Sequence, residues 1–157
     1  TNGDLSAKYQ TLVTPVGCAF SIWAIIFILQ GVWTVRQFFR LGESSIENVV
    51  AVNWKYLVTV LSQVGWTLTF SQEFIPISLI MMVFIWLNLS QTVRSLSEVQ
   101  RDETATTSLV KVKNYILEVM PFAIHFGWIT AATVVNANVL LVYEQYSADV
   151  LFYGAVG

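Results

Sequence analysis

The stretch Met120-Pro121-Phe122-Ala123-Ile124-His125-Phe126-Gly127-Trp128-Ile129-Thr130-Ala131-Ala132-Thr133-Val134-Val135-Asn136 decides the fold class. It lies within a longer segment, from about Ile116 to Tyr143, in which Glu118 is the one Asp, Glu, Lys or Arg. A helix that crosses a bilayer needs about 20 mostly apolar residues to cover roughly 30 Å of hydrocarbon. This segment is long enough, and it is too long and too apolar for a strand. Three other segments have the same character: about Val16 to Phe39, Ala51 to Phe70 and Phe74 to Val93. A lipid-facing open sheet would leave its edge amides without partners, so helices are the expected solution. The spacing therefore predicts an all-α, polytopic transmembrane helical bundle with four full spans, filling a single domain over 1–157.

Composition agrees. The 157 residues are 55% hydrophobic and 11% charged, with a mean hydropathy of +0.63. Soluble domains carry roughly 25% charged residues, and this chain has too little polar surface to cover a water-soluble globule. A disordered chain, a nucleic-acid binder with a basic face and most soluble enzymes are excluded on that ground. The single cysteine, Cys18, and the single histidine, His125, rule out an internal disulfide and a multi-histidine metal site. No set of Ser, His and acid is implied, so no catalytic activity is expected.

Punctuation falls between the spans. Thr14-Pro15 precedes the first, Arg40 to Ser45 is a polar stop after it, and Ser71-Gln72-Glu73 is a tight turn before the third. A polar loop is expected over 95–113. Pro121 should kink the fourth span or mark its start, and Val150 to Val156 is too short to span. The basic residues are lopsided. Arg36, Arg40, Lys55, Arg94, Arg101, Lys111 and Lys113 collect with the 40–52 and 94–114 loops, against Lys8 alone on the other side. Those loops are expected on the cytoplasmic, stromal or matrix face. Residues 1–13 lack the apolar core of a signal peptide, and the chain does not begin with Met, so it reads as a processed or partial product. An organelle membrane, plastid thylakoid or mitochondrial, is the expected setting.

Polar residues at membrane depth need a partner or a cavity. Gln30, Gln63, Asn88, Gln91, His125, Asn136 and Asn138 are the candidates. His125, Trp128, Ala132 and Asn136 share one helical face, as do Trp23, Phe27 and Gln30, and Gln63 neighbours Trp66. These sets suggest an aromatic interior suited to a flat, largely apolar ligand with polar edges. The competing reading is that the amides only join helices. His125 has three readings: a hydrogen bond to a neighbouring helix, a contact to a ligand edge, or an axial ligand to a tetrapyrrole metal. Trp33 and Trp54 read as interfacial anchors, Trp86 as facing lipid or protein, Glu118 as interfacial, and Cys18 as a buried inert thiol.

Three motifs resemble the TspO/MBR family of tryptophan-rich sensory proteins, related to the mitochondrial translocator protein. Thr14-Pro15-Val16-Gly17-Cys18-Ala19-Phe20-Ser21-Ile22-Trp23, followed by Ile26-Phe27 and Gly31, resembles the opening of that family's second helix. Gln63-Val64-Gly65-Trp66-Thr67-Leu68-Thr69-Phe70 is similar to its third-helix pattern, with Gln63 near the usual Asn. The stretch Met120 to Asn136 is similar to its last helix, with Pro, Gly-Trp, Ala-Thr and Asn in register and His125 where longer members carry Tyr. The resemblance covers roughly residues 14–143. It implies a five-helix bundle of which this chain supplies helices two to five, the first family helix being missing. It also implies a pocket for porphyrins, other tetrapyrroles, sterols or lipophilic molecules at Trp23, Trp66 and Trp128, with Phe27 and Asn136 beside them.

The expected function is thus an integral membrane protein binding a hydrophobic planar ligand at Trp23, Phe27, Gln30, Gln63, Trp66, His125, Trp128 and Asn136. Porphyrin, chlorophyll, haem or bound lipids are the candidate cofactors. Expected partners are membrane lipids, that small molecule, and other membrane subunits or a second copy, with no nucleic acid. The alternative is a non-catalytic subunit of a larger photosystem–antenna or respiratory complex that reuses the bundle. A carrier or channel ranks lower for want of a charged pathway.

Overall fold

A computed structural model describes residues 15–39, 43–102 and 107–156, and all the regular structure among them is helical. A 3-10 turn, Gly17–Ser21, leads into α1 (Ile22–Phe39). Then follow α2 (Glu43–Ser71), α3 (Ile75–Asp102), α4 (Ser108–Asn114), a π turn (Tyr115–Val119) and α5 (Met120–Val156). Lys8, Thr14, Arg40 and residues 1–13, used above for sidedness, punctuation and processing, lie outside the described residues, as does the start of the polar stop.

Among the described residues, three stretches are long and apolar enough to cross a membrane: Gly17–Phe39, Ile75–Arg101 and Ser108–Glu144. α2 falls short of the apolarity expected for the second span. Lys55, Thr59, Gln63, Thr67 and Thr69 dilute it, and its threonine hydroxyls donate to carbonyls of their own helix, as Thr59 does to Lys55 O at 3.1 Å and Thr67 to Gln63 O at 2.9 Å.

α2 and α3 form the main antiparallel pair, α5 lies against α3, and α1 docks chiefly on α5. Ile85, Leu89 and Leu96 of α3 are fully buried against Ala51 and Val52 of α2 and Phe122 and Ile129 of α5. On α1 the buried residues are Ile26, Gln30 and Trp33, one stripe at helical spacing. Trp33 is therefore not an interfacial anchor. It sits in the core, edge-on to Phe122 at 5.0 Å. Trp54, by contrast, is exposed. Trp86 faces protein, with its indole N–H donating to Thr130 Oγ1 at 3.0 Å. Cys18 is exposed, not buried.

The expected polar loop over 95–113 is mostly helix. α3 runs on to Asp102 because Leu96 and Val99 keep its core stripe going, and Arg94 pairs with Glu98 one turn on at 3.1 Å. The apolar tail after Tyr143 continues α5 as helix to Val156.

Three irregularities shape the bundle. The turn after α2 is a Schellman closure. Phe74 N–H reaches Thr69 O at 2.9 Å and Glu73 N–H reaches Phe70 O at 3.1 Å, with Glu73 at φ 60°. α2 itself breaks at Asn53, at φ 47° and ψ −157°. The Asn53 side chain accepts from Trp54 N–H at 2.6 Å. Across the break, Lys55 Nζ donates to Ala51 O at 3.1 Å and Ser95 Oγ at 2.8 Å. The ammonium thus supplies a donor to a carbonyl beside the break. The third irregularity is the π turn ahead of Pro121. Proline has no N–H and its ring collides with the carbonyl four residues back; a widened turn relieves both.

The π turn carries Glu118, which is buried. Arg36 Nη2 donates to one carboxylate oxygen at 2.8 Å and Gln37 Nε2 to the other at 2.6 Å. These bonds tie the end of α1 to the start of α5. They also gather Arg36, Lys55 and the Asn48–Gln100 hydrogen bond at one end of the bundle, the end that the basic residues marked in the sequence.

Two stability measurements in detergent check this. Glu118→Ala leaves Arg36 without its carboxylate and is expected to cost about 2 kcal/mol; an unchanged unfolding midpoint contradicts it. Glu73→Gly removes the cost of a left-handed side-chain residue and is expected to gain about 1 kcal/mol; a lowered midpoint contradicts the Schellman assignment.

Candidate functional site

The apolar stripe of α5 continues upward from Ile129 into a cavity of about 120 Å³. Trp128, Ala132, Asn136 and Val139 of α5 form one wall at three-to-four spacing. Trp66 and Phe70, one turn apart on α2, stack at 5.4 Å and 22° to form a second. Trp23 of α1 and Phe20 of the preceding turn close a third, and Met82 of α3 lies at the back. The small Ala131 and Ala132 leave the space that the rings surround. Gly65 lets α2 approach α3, since a Cβ there would lie 3.3 Å from Met81 Sδ.

The rings hold one another by edges. Trp128 meets Phe20 at 5.8 Å and Trp23 at 6.3 Å, both nearly perpendicular. Such contacts add about 0.5–1.5 kcal/mol each beyond area burial. The polar features of this apolar cavity are few. The indole Nε1 atoms of Trp66 and Trp128 are buried with no hydrogen-bond partner. Asn136 Nδ2 donates to Ser78 Oγ at 3.2 Å, and that hydroxyl donates to Ile75 O at 2.8 Å.

His125 lies one turn from Trp128 and behind Trp23, edge-on to it at 5.6 Å, and is off the cavity wall. A hydrogen-bonded chain joins three helices here. Tyr56 Oη donates to Gln30 Oε1 at 2.7 Å, and Gln30 Nε2 donates to His125 Nδ1 at 3.0 Å. With Nδ1 accepting, the imidazole proton sits on Nε2, which is buried without a partner among the described residues. Among the described residues no three His, Cys, Asp or Glu side chains cluster to hold a metal ion.

Of the residues picked from sequence, Trp23, Trp66, Trp128 and Asn136 line the cavity. Gln30 and His125 form the polar chain beneath it. Phe27 is outside: it stacks on the far side of Trp23 at 5.7 Å and is 60% exposed. Gln63 is off the wall as well, its Oε1 buried without a partner. Gln91 is exposed, and four other intramembrane amides divide between two roles. Gln30 and Asn136 join helices, whereas Asn88 and Asn138 donate to carbonyls of their own helices at 2.8 Å.

Sequence reasoning missed Phe70, Met82, Ser78 and Tyr56. Phe70 was visible as the residue one turn beyond Trp66. Tyr56 carried no such signal, because its role depends on where α1 sits.

No curated protein and no solved structure matches the chain. Residues 1–152 match the family described as TSPO-like protein. Its members are generally non-catalytic transport or sensory proteins that bind small molecules within the membrane. The match lends no support to the photosystem-subunit alternative. With nearly its whole length matched and its described structure an all-helical bundle, the chain is an integral membrane protein of the TSPO-like family.

Proposed function

We propose that the protein binds a hydrophobic, planar small molecule, of the porphyrin or sterol-like kind, between Trp23, Trp66 and Trp128. The observation that carries this reading is the pair of unpartnered indole N–H groups, Trp66 and Trp128, on an otherwise apolar cavity. Buried donors without partners are costly, and a carbonyl, carboxylate or ring nitrogen on the ligand's edge would satisfy them. Asn136 stands on the same wall as a further polar contact.

Size sets how such a ligand sits. A closed cavity of about 150 Å³ takes a single benzene-sized ring, and drug-sized pockets run to about 300–1,000 Å³. The space here, about 120 Å³, therefore accepts one edge of a planar molecule. The remainder lies towards Phe20, which is 37% exposed. α1 is the long helix with the least packing against the rest of the bundle, so it is the wall that yields most readily. His125 and Gln30 act from behind Trp23 as positioning residues, and Phe27 supports the same ring from the lipid side. α2 crosses the membrane as the fourth span, with Thr59 buried and the exposed Thr67 hydroxyl bonded to its own helix, and with the 40–52 and 94–114 ends on the positive-inside face.

A titration of the detergent-solubilised protein with protoporphyrin, read by tryptophan fluorescence quenching, tests this. Saturable quenching is expected. Trp66→Phe and Trp128→Phe keep the ring and remove the N–H, and each should weaken binding about tenfold, equal to about 1.4 kcal/mol. Non-saturable quenching, or unchanged affinity in both variants, would remove the pocket as the binding site.

A further inference from the structure

A second cleft opens at the opposite end of the bundle, away from the aromatic cavity, and nothing in the function above uses it. Its volume is about 430 Å³, and it lies between the last turns of α3 and the α4–π turn segment. Ser97, Gln100 and Arg101 line one side, and Lys111, Val112 and Tyr115 the other. From this cleft we infer that the protein holds an anionic phospholipid with a hydroxyl-bearing headgroup, of the phosphatidylglycerol kind, at its positive-inside face.

The charge is available for such a ligand. Neither the Arg101 nor the Lys111 side chain makes an ion pair or hydrogen bond among the described residues, and among those residues no acidic side chain lines the cleft. Glu98, earlier on α3, is already paired with Arg94 at 3.1 Å. A guanidinium and an ammonium on opposite walls can grip one phosphate from two sides. Basic pockets on this side of a membrane protein meet the anionic leaflet.

The headgroup preference comes from Gln100. Its Nε2 donates to Asn48 Oδ1 at 3.2 Å, which fixes the amide. Its Oε1 is left buried without a partner. That atom is an acceptor, so it repels a phosphate oxygen and welcomes a hydroxyl donor. A glycerol headgroup supplies such hydroxyls beside the phosphate, and a choline headgroup supplies none. The rim matches the rest of the lipid: Leu109, Val112 and Tyr115 are exposed apolar surface next to the charges, where the glycerol esters and the first acyl carbons would lie.

The test uses the full chain in neutral detergent, with short-chain phosphatidylglycerol and phosphatidylcholine titrated separately and bound lipid counted by native mass spectrometry. Phosphatidylglycerol should bind at least about tenfold more tightly than phosphatidylcholine. The preference should vanish in Arg101→Gln/Lys111→Gln and remain in Lys113→Gln, whose side chain is not on the cleft wall. Gln100→Leu should weaken phosphatidylglycerol binding several-fold and leave phosphatidylcholine binding unchanged. Should the double variant not fold, the single variants and a salt series on the native chain replace it, since 0.5 M NaCl must erase an electrostatic preference. Equal binding of the two lipids, a preference untouched by the substitutions or by salt, or full competition by inorganic phosphate at lipid-like concentration would overturn the inference. The last result would mark a free-anion site instead.

Discussion

Hydrocarbon offers no hydrogen-bond partner, and the rest of this structure depends on that constraint. Every backbone amide in the spans must bond within its own helix or be rescued by a side chain. Where α2 breaks at Asn53, Lys55 reaches back to Ala51 O and Ser95 supplies its other contact. Where Pro121 removes a donor, the chain widens into a π turn, and the carboxylate in that turn is covered by Arg36 and Gln37. At both of these irregularities the charge and the backbone defect stand together at one end of the bundle. The other end carries the Glu73 turn and the aromatic rings.

The same constraint gives the aromatic cavity its chemical character. A polar atom buried there without a partner has no water to fall back on. The indole donors of Trp66 and Trp128 are such atoms, and they sit where the walls are otherwise carbon. The imidazole, phenol and amide of His125, Tyr56 and Gln30 instead satisfy one another in a chain beneath the cavity. The chain joins α1, α2 and α5 behind Trp23, so it sets where that ring stands.

Much of this was legible in the sequence, because long apolar runs and three-to-four spacing are strong signals. The stripe Trp128, Ala132, Asn136 emerged intact as a wall, and Trp23 and Trp66 emerged opposite it. Other features depended on packing that spacing does not encode. Trp33 resembles an interfacial anchor by position, yet Phe122 covers it. His125 shares a face with Trp128 by angle, but Trp23 stands between it and the cavity. The run Ser95 to Asp102 has loop-like composition, and only the burial of Leu96 reveals that its helix continues. The break at Asn53 had no proline or glycine to announce it.

The central claim is that a planar ligand rests among Trp23, Trp66 and Trp128. Photo-oxidation by substoichiometric bound porphyrin, mapped by peptide mass spectrometry, tests it most directly, since damage falls on the rings nearest the dye. The account predicts oxidation of Trp23, Trp66 and Trp128 ahead of Trp33, Trp54 and Trp86. Faster oxidation of the exposed Trp54, with the three cavity tryptophans spared, would contradict it.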